Sequence, residues 1–327
     1  MFAREVYIQR RERLRARVQS GLILLLGNEE SPMNYAANTY PFRQDSTFLY
    51  FFGLDQPGLA AVINVEEGTE CVFGDDPTVE EIVWTGPVAL LRDRCSRVGV
   101  TQTAPSDKLQ QVLNEAARQG RPIHFPPQYR AENLQKINRL WSPKAPPAPS
   151  AVLIKAVVQQ RSIKSGEEIE QIEAALDISR QMHITAMQMA RPGVVEREVA
   201  GAMEGIAISN GVRLAYSAIF STHGETMHNP YYNNVLKAGD IVVNDSGAES
   251  PLHYASDITR TIPIGGRFSQ RQEEIYSIVL DAQEKALGLA KPGIEWREVH
   301  RLAAVALMEG LKGLGLIRGD PEEAVAA

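Results

Sequence analysis

The chain has 327 residues, a formal net charge of −6, and 44% hydrophobic and 23% charged residues. That length can bury more than one core, and an acidic chain lacks the basic face that nucleic-acid binding needs. No apolar run approaches the ~20 residues of a membrane span, and the two distant cysteines, Cys71 and Cys95, form no disulfide framework, as expected of a cytoplasmic protein with free thiols.

The arginine-rich stretch from Met1 to Arg17 is interrupted by Glu5 and Glu12, which does not suit an organellar transit peptide. It reads as an ordinary surface helix. Gly21 to Gly27 is a continuous apolar run, as expected of a strand buried on both faces. Arg43, Gln44 and Asp45 lead into an apolar segment read as a strand, with Asp45 and Ser46 available to cap or turn and the aromatics filling a core. Ala60–Val65 and Cys71–Phe73 pair around a turn beginning at Glu66. Ser106–Gln119 has helical periodicity, and Pro122–Phe125 makes another short strand. These elements predict a mixed α/β domain over residues 1–155. Four prolines between Ser142 and Ser150 predict an extended connection to a second domain, 156–327.

The second half opens on a capping box, Ser165-Gly-Glu-Glu168, followed by a long helix that Pro192-Gly193 stops and by another helix toward Gly211. Ser269-Gln-Arg-Gln272 can form a second box, again ahead of a long amphipathic helix. Met189-Ala-Arg-Pro-Gly193 and Arg197-Glu-Val199 recur as Leu289-Ala-Lys-Pro-Gly293 and Arg297-Glu-Val299, one hundred residues later. That offset is too long for a solenoid repeat and predicts a duplicated half-domain of helix, helix and strands.

Residues 239–266 carry the chemistry. Gly-Asp-Ile-Val-Val-Asn-Asp-Ser-Gly and Tyr-Ala-Ser-Asp-Ile-Thr-Arg-Thr-Ile-Pro-Ile-Gly-Gly are two β-rich runs around a loop, each delivering one aspartate, Asp245 and Asp257. Two carboxylates aimed at one point suit a divalent metal, although paired aspartates on neighbouring strands are more often turn-formers or solvated charges. Strand alternation puts Asp257, Thr259 and Thr261 on one face, where Thr259 either orients a carboxylate or only fills the strand.

These words resemble the pita-bread metallopeptidases, which include methionine aminopeptidase, prolidase and aminopeptidase P. A second match, Tyr40-Pro-Phe-Arg-Gln-Asp-Ser-Thr-Phe-Leu-Tyr-Phe-Phe-Gly53, resembles the N-terminal domain of aminopeptidase P and prolidase. The resemblance implies an α/β (α+β) protein: an N-terminal mixed α/β domain and an incomplete pita-bread domain, its first half complete and its second half cut short. It implies two divalent metal ions, of which manganese is the usual choice, polarising a shared water. The position matching Asp245 chelates one metal and that matching Asp257 bridges both. His228, seventeen residues before Asp245 and in register with the family's loop histidine, would act on the scissile amide as proton donor or electrostatic stabiliser. A lone loop histidine is otherwise a solvated surface residue. His223 is the weaker candidate of the two.

The expected substrates are peptides with proline second, and the expected assembly is a homo-oligomer, dimer or tetramer, with no nucleic-acid or membrane partner. The strands that carry the family's other three ligands, one His and two Glu, have no counterpart here. His300 and Glu309 lie in a helical pattern without partners at ligand spacing. This chain alone is therefore expected to be inactive. Three alternatives stay open: a prolidase acting on Xaa-Pro dipeptides, a metal-free creatinase-like hydrolase, and a non-catalytic fragment or scaffold.

Overall fold

The computed structural model describes residues 1–141 and 145–326. The first three residues of the proline-rich connection, 142–144, lie outside the described residues. The chain forms two compact units, Met1–Glu170 and Gln171–Ala327. The boundary expected near residue 155 falls inside a helix of the first unit.

The first unit runs α1 (Arg4–Val18), β1 (Leu22–Leu26), β2 (Pro32–Tyr35), β3 (Asn38–Thr39), α2 (Ser46–Phe52), β4 (Ala60–Asn64), β5 (Thr69–Phe73), α3 (Val79–Thr85), α4 (Leu91–Arg97) and β6 (Gln102–Ala104). A 3₁₀ turn (Ser106–Lys108) leads to α5 (Leu109–Arg118), β7 (Ile123–His124), α6 (Ala131–Trp141) and α7 (Ala151–Ser162). Five strands make a mixed sheet in the order β6-β5-β4-β1-β7, with β2 and β3 a separate hairpin. The β1–β4 and β4–β5 pairs are antiparallel, whereas β1–β7 and β5–β6 are parallel. Every residue of β1 is buried because both faces of the sheet are covered. Ile23 and Leu25 pack with Phe48, Phe51 and Leu153, and Leu22, Leu24 and Leu26 with Leu109, Leu113 and Ile137.

Two expectations need correction. The segment after Asp45 is the helix α2, not a strand. The Asp45 carboxylate accepts from the Thr47 and Phe48 amides at 2.9 Å each, and Gly53 at φ +61° ends the helix. A β-carbon on Gly53 would lie 2.3 Å from Cζ of Tyr7. A short apolar run fits either structure by periodicity; the aspartate before it and the glycine after it decide for helix. The second correction is α1, which is more than a surface helix: Arg10 and Arg11 are 2% and 0% exposed. Arg10 donates to the Tyr50 carbonyl at 3.0 Å, and Arg11 to those of Phe51 and Val98 at 2.9 Å each. Tyr50 and Phe51 are among the last residues of α2, whose carbonyls have no partner within the helix, so the two guanidiniums satisfy a helix C-terminus. Arg10 also stacks 3.9 Å from the Tyr50 ring and pairs with Glu168 at 3.4 Å.

Gln44 is buried as a brace, accepting from the Asn28 amide at 2.6 Å and donating to the Gln56 carbonyl at 2.8 Å. Both cysteines are free thiols. Burial pushes the Cys95 thiol up to about 11 from its ordinary 9.0. Folding thus favours the protonated thiol, a contribution that is full below pH 9 and lost as pH rises through 11. In native protein at pH 8, iodoacetamide is expected to spare Cys95 and to label it only in denaturant. Rapid native labelling would show that the core around it opens.

The second unit contains most of α8 (Gly166–Met189), then α9 (Glu196–Ser209), β8 (Ile219–Ser221), β9 (Ile241–Ser246), β10 (Ile258–Pro263), α10 (Gln270–Leu289), α11 (Trp296–Gly313) and α12 (Pro321–Ala326). Both expected helix starts form. Glu168 accepts from the Ser165 amide at 2.9 Å, and Ser269 and Gln272 make a reciprocal box. The hundred-residue offset is visible in the helices, since α8 and α10 end at Met189 and Leu289 and α9 and α11 begin at Glu196 and Trp296. The three strands form an antiparallel sheet, β10-β9-β8. Met182, Val199, Met203, Phe220, Val242 and Ile262 fill the core between this sheet and the first helix pair.

Candidate active site

The site grows out of the β9–β10 hairpin. Along β9, Val242, Asn244 and Ser246 are buried, so Val243 and Asp245 point to the opposite face. The register sets Thr259 of β10 directly across from Asp245, and Asp257 immediately precedes β10. Asp245 is half-buried and Asp257 exposed. Both reach the phenol of Tyr216: its oxygen lies 2.7 Å from Oδ1 of Asp245 and 2.9 Å from Oδ1 of Asp257. Burial, then the two carboxylates, push the Tyr216 phenol well above its ordinary value, so it stays a neutral donor. Two carboxylate oxygens therefore converge on one point with a single neutral hydroxyl between them.

The chain between the two aspartates turns under close constraint. A β-carbon on Gly247 would lie 1.9 Å from the carbonyl oxygen of Ser256, so only glycine lets the loop ends approach. Ser256 and Ala248 exchange hydrogen bonds there: the Ser256 amide donates to the Ala248 carbonyl at 2.9 Å, and the Ala248 amide reaches Oγ of Ser256 at 3.1 Å. Ser179 of α8 joins them, 2.7 Å from Oγ of Ser256 and accepting from the Ala248 amide at 2.9 Å. Tyr216 is held by the same loop, because the Ala215 amide donates to the Gly247 carbonyl at 2.8 Å.

Behind β9, the buried His183 of α8 sits 3.1 Å from the Ser246 carbonyl and 3.1 Å from Nδ2 of Asn244. Burial lowers its imidazole below the ordinary value, which keeps it neutral. Its ties to Asn244 and Ser246 lock the residues on either side of Asp245.

The histidines fall out differently. His228 is exposed in the turn after β8, and the aspartates' bonds to Tyr216 do not involve it. Its loop is nonetheless placed over the right face. Ser221 pairs with Val243, Asn229 donates to Oγ of Ser221 at 3.0 Å, and Gly224 leaves no room for a β-carbon against Cγ2 of Val243, at 2.7 Å. Val243 and Asp245 share a face of β9, so the loop carrying His228 lies along the aspartate face. His223 is tied to Glu225 at 2.8 Å. His253 sits in the interstrand loop at φ +63°, a backbone that non-glycine residues rarely adopt, 2.6 Å from Glu249. His300 and Glu309 lie on α11.

The sequence gives no sign of Tyr216 or His183. Their partners are 29 to 63 residues away, and neither stands in a recognisable motif. As a metal site, the paired carboxylates fit hard-cation chemistry, since two anionic oxygens already meet at one point. Among the described residues no group of three His, Cys, Asp or Glu surrounds that point.

Comparison with known proteins supplies the class. Residues 170–320 match metallopeptidase family M24, and residues 7–124 match the aminopeptidase P N-terminal domain. The chain is 29% identical over 340 residues to the Xaa-Pro aminopeptidase of Escherichia coli, covering 99% of this chain and 76% of that protein. It is 29% identical over 321 residues to a probable Xaa-Pro aminopeptidase of Uncinocarpus reesii, spanning 93% of this chain but only 64% of the relative's length. Among solved structures, E. coli aminopeptidase P in a low-pH form superposes with a TM-score of 0.86 at 28% identity, over 100% of this chain and 77% of that one. Pseudomonas aeruginosa aminopeptidase PepP gives 0.87 at 26%, over 99% and 76%. The fold is thus the mixed α/β, pita-bread architecture. Residues 170–320 match metallopeptidase family M24, and the chain as a whole is similar to the aminopeptidase P group, with that group's N-terminal domain matched ahead of the M24 segment.

Proposed function

We propose that the protein is a metal-dependent aminopeptidase that releases the N-terminal residue from peptides with proline second. The observation that carries this reading is the convergence of Asp245 and Asp257 on Tyr216 within the segment matching M24. Asp245 and Asp257 would hold a pair of divalent ions, Mn²⁺ being the choice the family implies and oxygen ligands suit. When bound, the ions supply Lewis-acid activation of a water nucleophile near neutral pH. Tyr216, held neutral, aligns the two carboxylates. His228 donates a proton or hydrogen bond to the scissile amide from the loop along the same face. The Xaa-Pro amide is tertiary and lacks an N–H, so a site that relies on electrophilic activation does not depend on that donor.

Two carboxylates leave a cation largely hydrated, and transition-metal sites ordinarily take three or more protein ligands. We therefore propose that these 327 residues alone bind divalent metal weakly and turn over little. The free thiols suit a cytoplasmic setting, and self-association into a dimer or tetramer completes the reading.

The test is cleavage with added Mn²⁺ of Xaa-Pro-Yaa-Zaa peptides, Xaa-Pro dipeptides and matched peptides with alanine second. Release of Xaa only from the longer proline peptides is the expected specificity. Cleavage confined to dipeptides would make it a prolidase, and equal cleavage of the alanine series would overturn the proline reading. Retained metal without cleavage of any of these peptides would favour the non-catalytic alternative.

A further inference from the structure

Glu196, the first residue of α9, is 0% exposed, and among the described residues its carboxylate receives hydrogen bonds from Thr222 and Asn234. Its carboxylate accepts from the Thr222 amide at 2.8 Å and the Thr222 hydroxyl at 3.3 Å. It also accepts from the Asn234 amide at 3.1 Å and from Nδ2 of Asn234 at 2.9 and 3.0 Å. The backbone repeats the tie, since the Glu196 amide donates to the Asn234 carbonyl at 3.0 Å. Thr222 and Asn234 are the two ends of the loop that carries His223 and His228. One buried carboxylate therefore closes that loop at both ends.

A glutamate is not needed to start such a helix. The equivalent residue in the second copy, one hundred positions on, is Trp296, which begins α11 and is 79% exposed. The local start of α9 is already served by Glu198, which accepts from the Val195 amide at 2.7 Å. Burying a carboxylate is costly unless hydrogen bonds compensate it. Among the described residues, the side-chain compensation at Glu196 comes from the loop ends, so the group is matched to the loop and not to its own helix.

We propose that Glu196 is a positioning residue that fixes the 222–234 loop, and with it His228, along the aspartate face of β9. The link to catalysis rests on the aminopeptidase reading given above; the pinning of the loop does not. Glu196→Gln turns one acceptor oxygen into a donor facing the donors of Thr222 and Asn234. Amide exchange across 222–234 is expected to accelerate at least ~10-fold, and the ring resonance of His228, assigned by its loss in His228→Ala, is expected to shift. Glu198→Gln, which touches only the helix start, is expected to leave both unchanged.

Should Glu196→Gln fail to fold, Asn234→Ala removes the Nδ2 donors while keeping the carboxylate, and loop exchange is expected to rise ~3-fold. In a form of the protein that cleaves Xaa-Pro peptides, Glu196→Gln is expected to lower kcat ~10- to 100-fold with metal content and KM little changed, the scale of a small misplacement of a reacting group. Unchanged loop exchange in both Glu196→Gln and Asn234→Ala, or equal acceleration in Glu198→Gln, would overturn the pin. A freed loop with kcat intact would overturn the positioning role. If a metal-loaded form of the protein cleaves no Xaa-Pro peptide, the aminopeptidase reading fails while exchange and the histidine resonance still decide the pin.

Discussion

Replacing Asp257 with Ala is expected to abolish Xaa-Pro cleavage and remove bound metal together, in any form of the protein that shows turnover. The carboxylate shares the Tyr216 hydroxyl with Asp245, and its loss leaves one anionic oxygen where two converged. Replacing His228 with Ala is expected to do something different: metal content holds while kcat falls about 10²- to 10³-fold, the usual worth of a positioned acid or oxyanion donor. Measuring Mn²⁺ by atomic absorption beside initial rates separates the two roles. Metal loss in His228→Ala, or full activity in Asp257→Ala, would reverse the assignments. An unchanged rate in His228→Ala would return that side chain to the solvated surface residue its exposure alone describes.

Gly247→Ala is expected to cost about 3 kcal/mol or more of the second unit's stability. The new methyl would meet the Ser256 carbonyl oxygen at 1.9 Å, its carbon at 2.7 Å and the Asp257 amide nitrogen at 3.2 Å. All three are backbone atoms, so no flexible side chain can swing away. Relief requires the loop ends to part, which would break the Ala248–Ser256 bonds and move Asp257 from Tyr216. Gly201 is the control: a β-carbon there meets nothing within 4 Å in a helix interior, and Gly201→Ala should stabilise by about 0.5–1 kcal/mol. Urea unfolding decides between them. A Gly247→Ala protein within about 0.5 kcal/mol of the original would mean that the turn tolerates a different path.

Much of the architecture could be read from local pattern, and what could not has a common cause. The buried strand at Leu22–Leu26, the hairpin of β4 and β5, the capping boxes at Ser165 and Ser269 and the hundred-residue offset all depend on residues close in sequence or on a repeated phrase. The convergence of Asp245 and Asp257 was legible because the two aspartates flank a single loop. Tyr216 was not, because a tyrosine ahead of an apolar strand has no periodic signature and its partners lie 29 and 41 residues on. The burial of Arg10 and Arg11, within the stretch read as a surface helix, was hidden for a similar reason. Their acceptors are carbonyls of α2, 40 residues away, and that helix was itself mistaken for a strand. Had the Asp45 cap and the Gly53 stop been weighed against the aromatic run, a helix end lacking donors would have suggested that nearby cations were buried. His228 shows the reverse: sequence register marks it, whereas its exposure carries no such signal.

The pairing of β9 with β10 also governs how this protein can fail. Side chains alternate along β9, so sliding it by one residue would exchange Asp245 for a neighbour, Asn244 or Ser246, that now faces inward. The slip would bury a carboxylate against Met203 and His183 and turn a neutral group toward Tyr216. Asp257, which precedes β10, would be left without its partner carboxylate. In a form of the protein that turns over, a preparation containing mispaired molecules would therefore be a mixture of intact and null sites, and its activity per mole of protein would count correctly assembled hairpins and not report a graded loss per molecule.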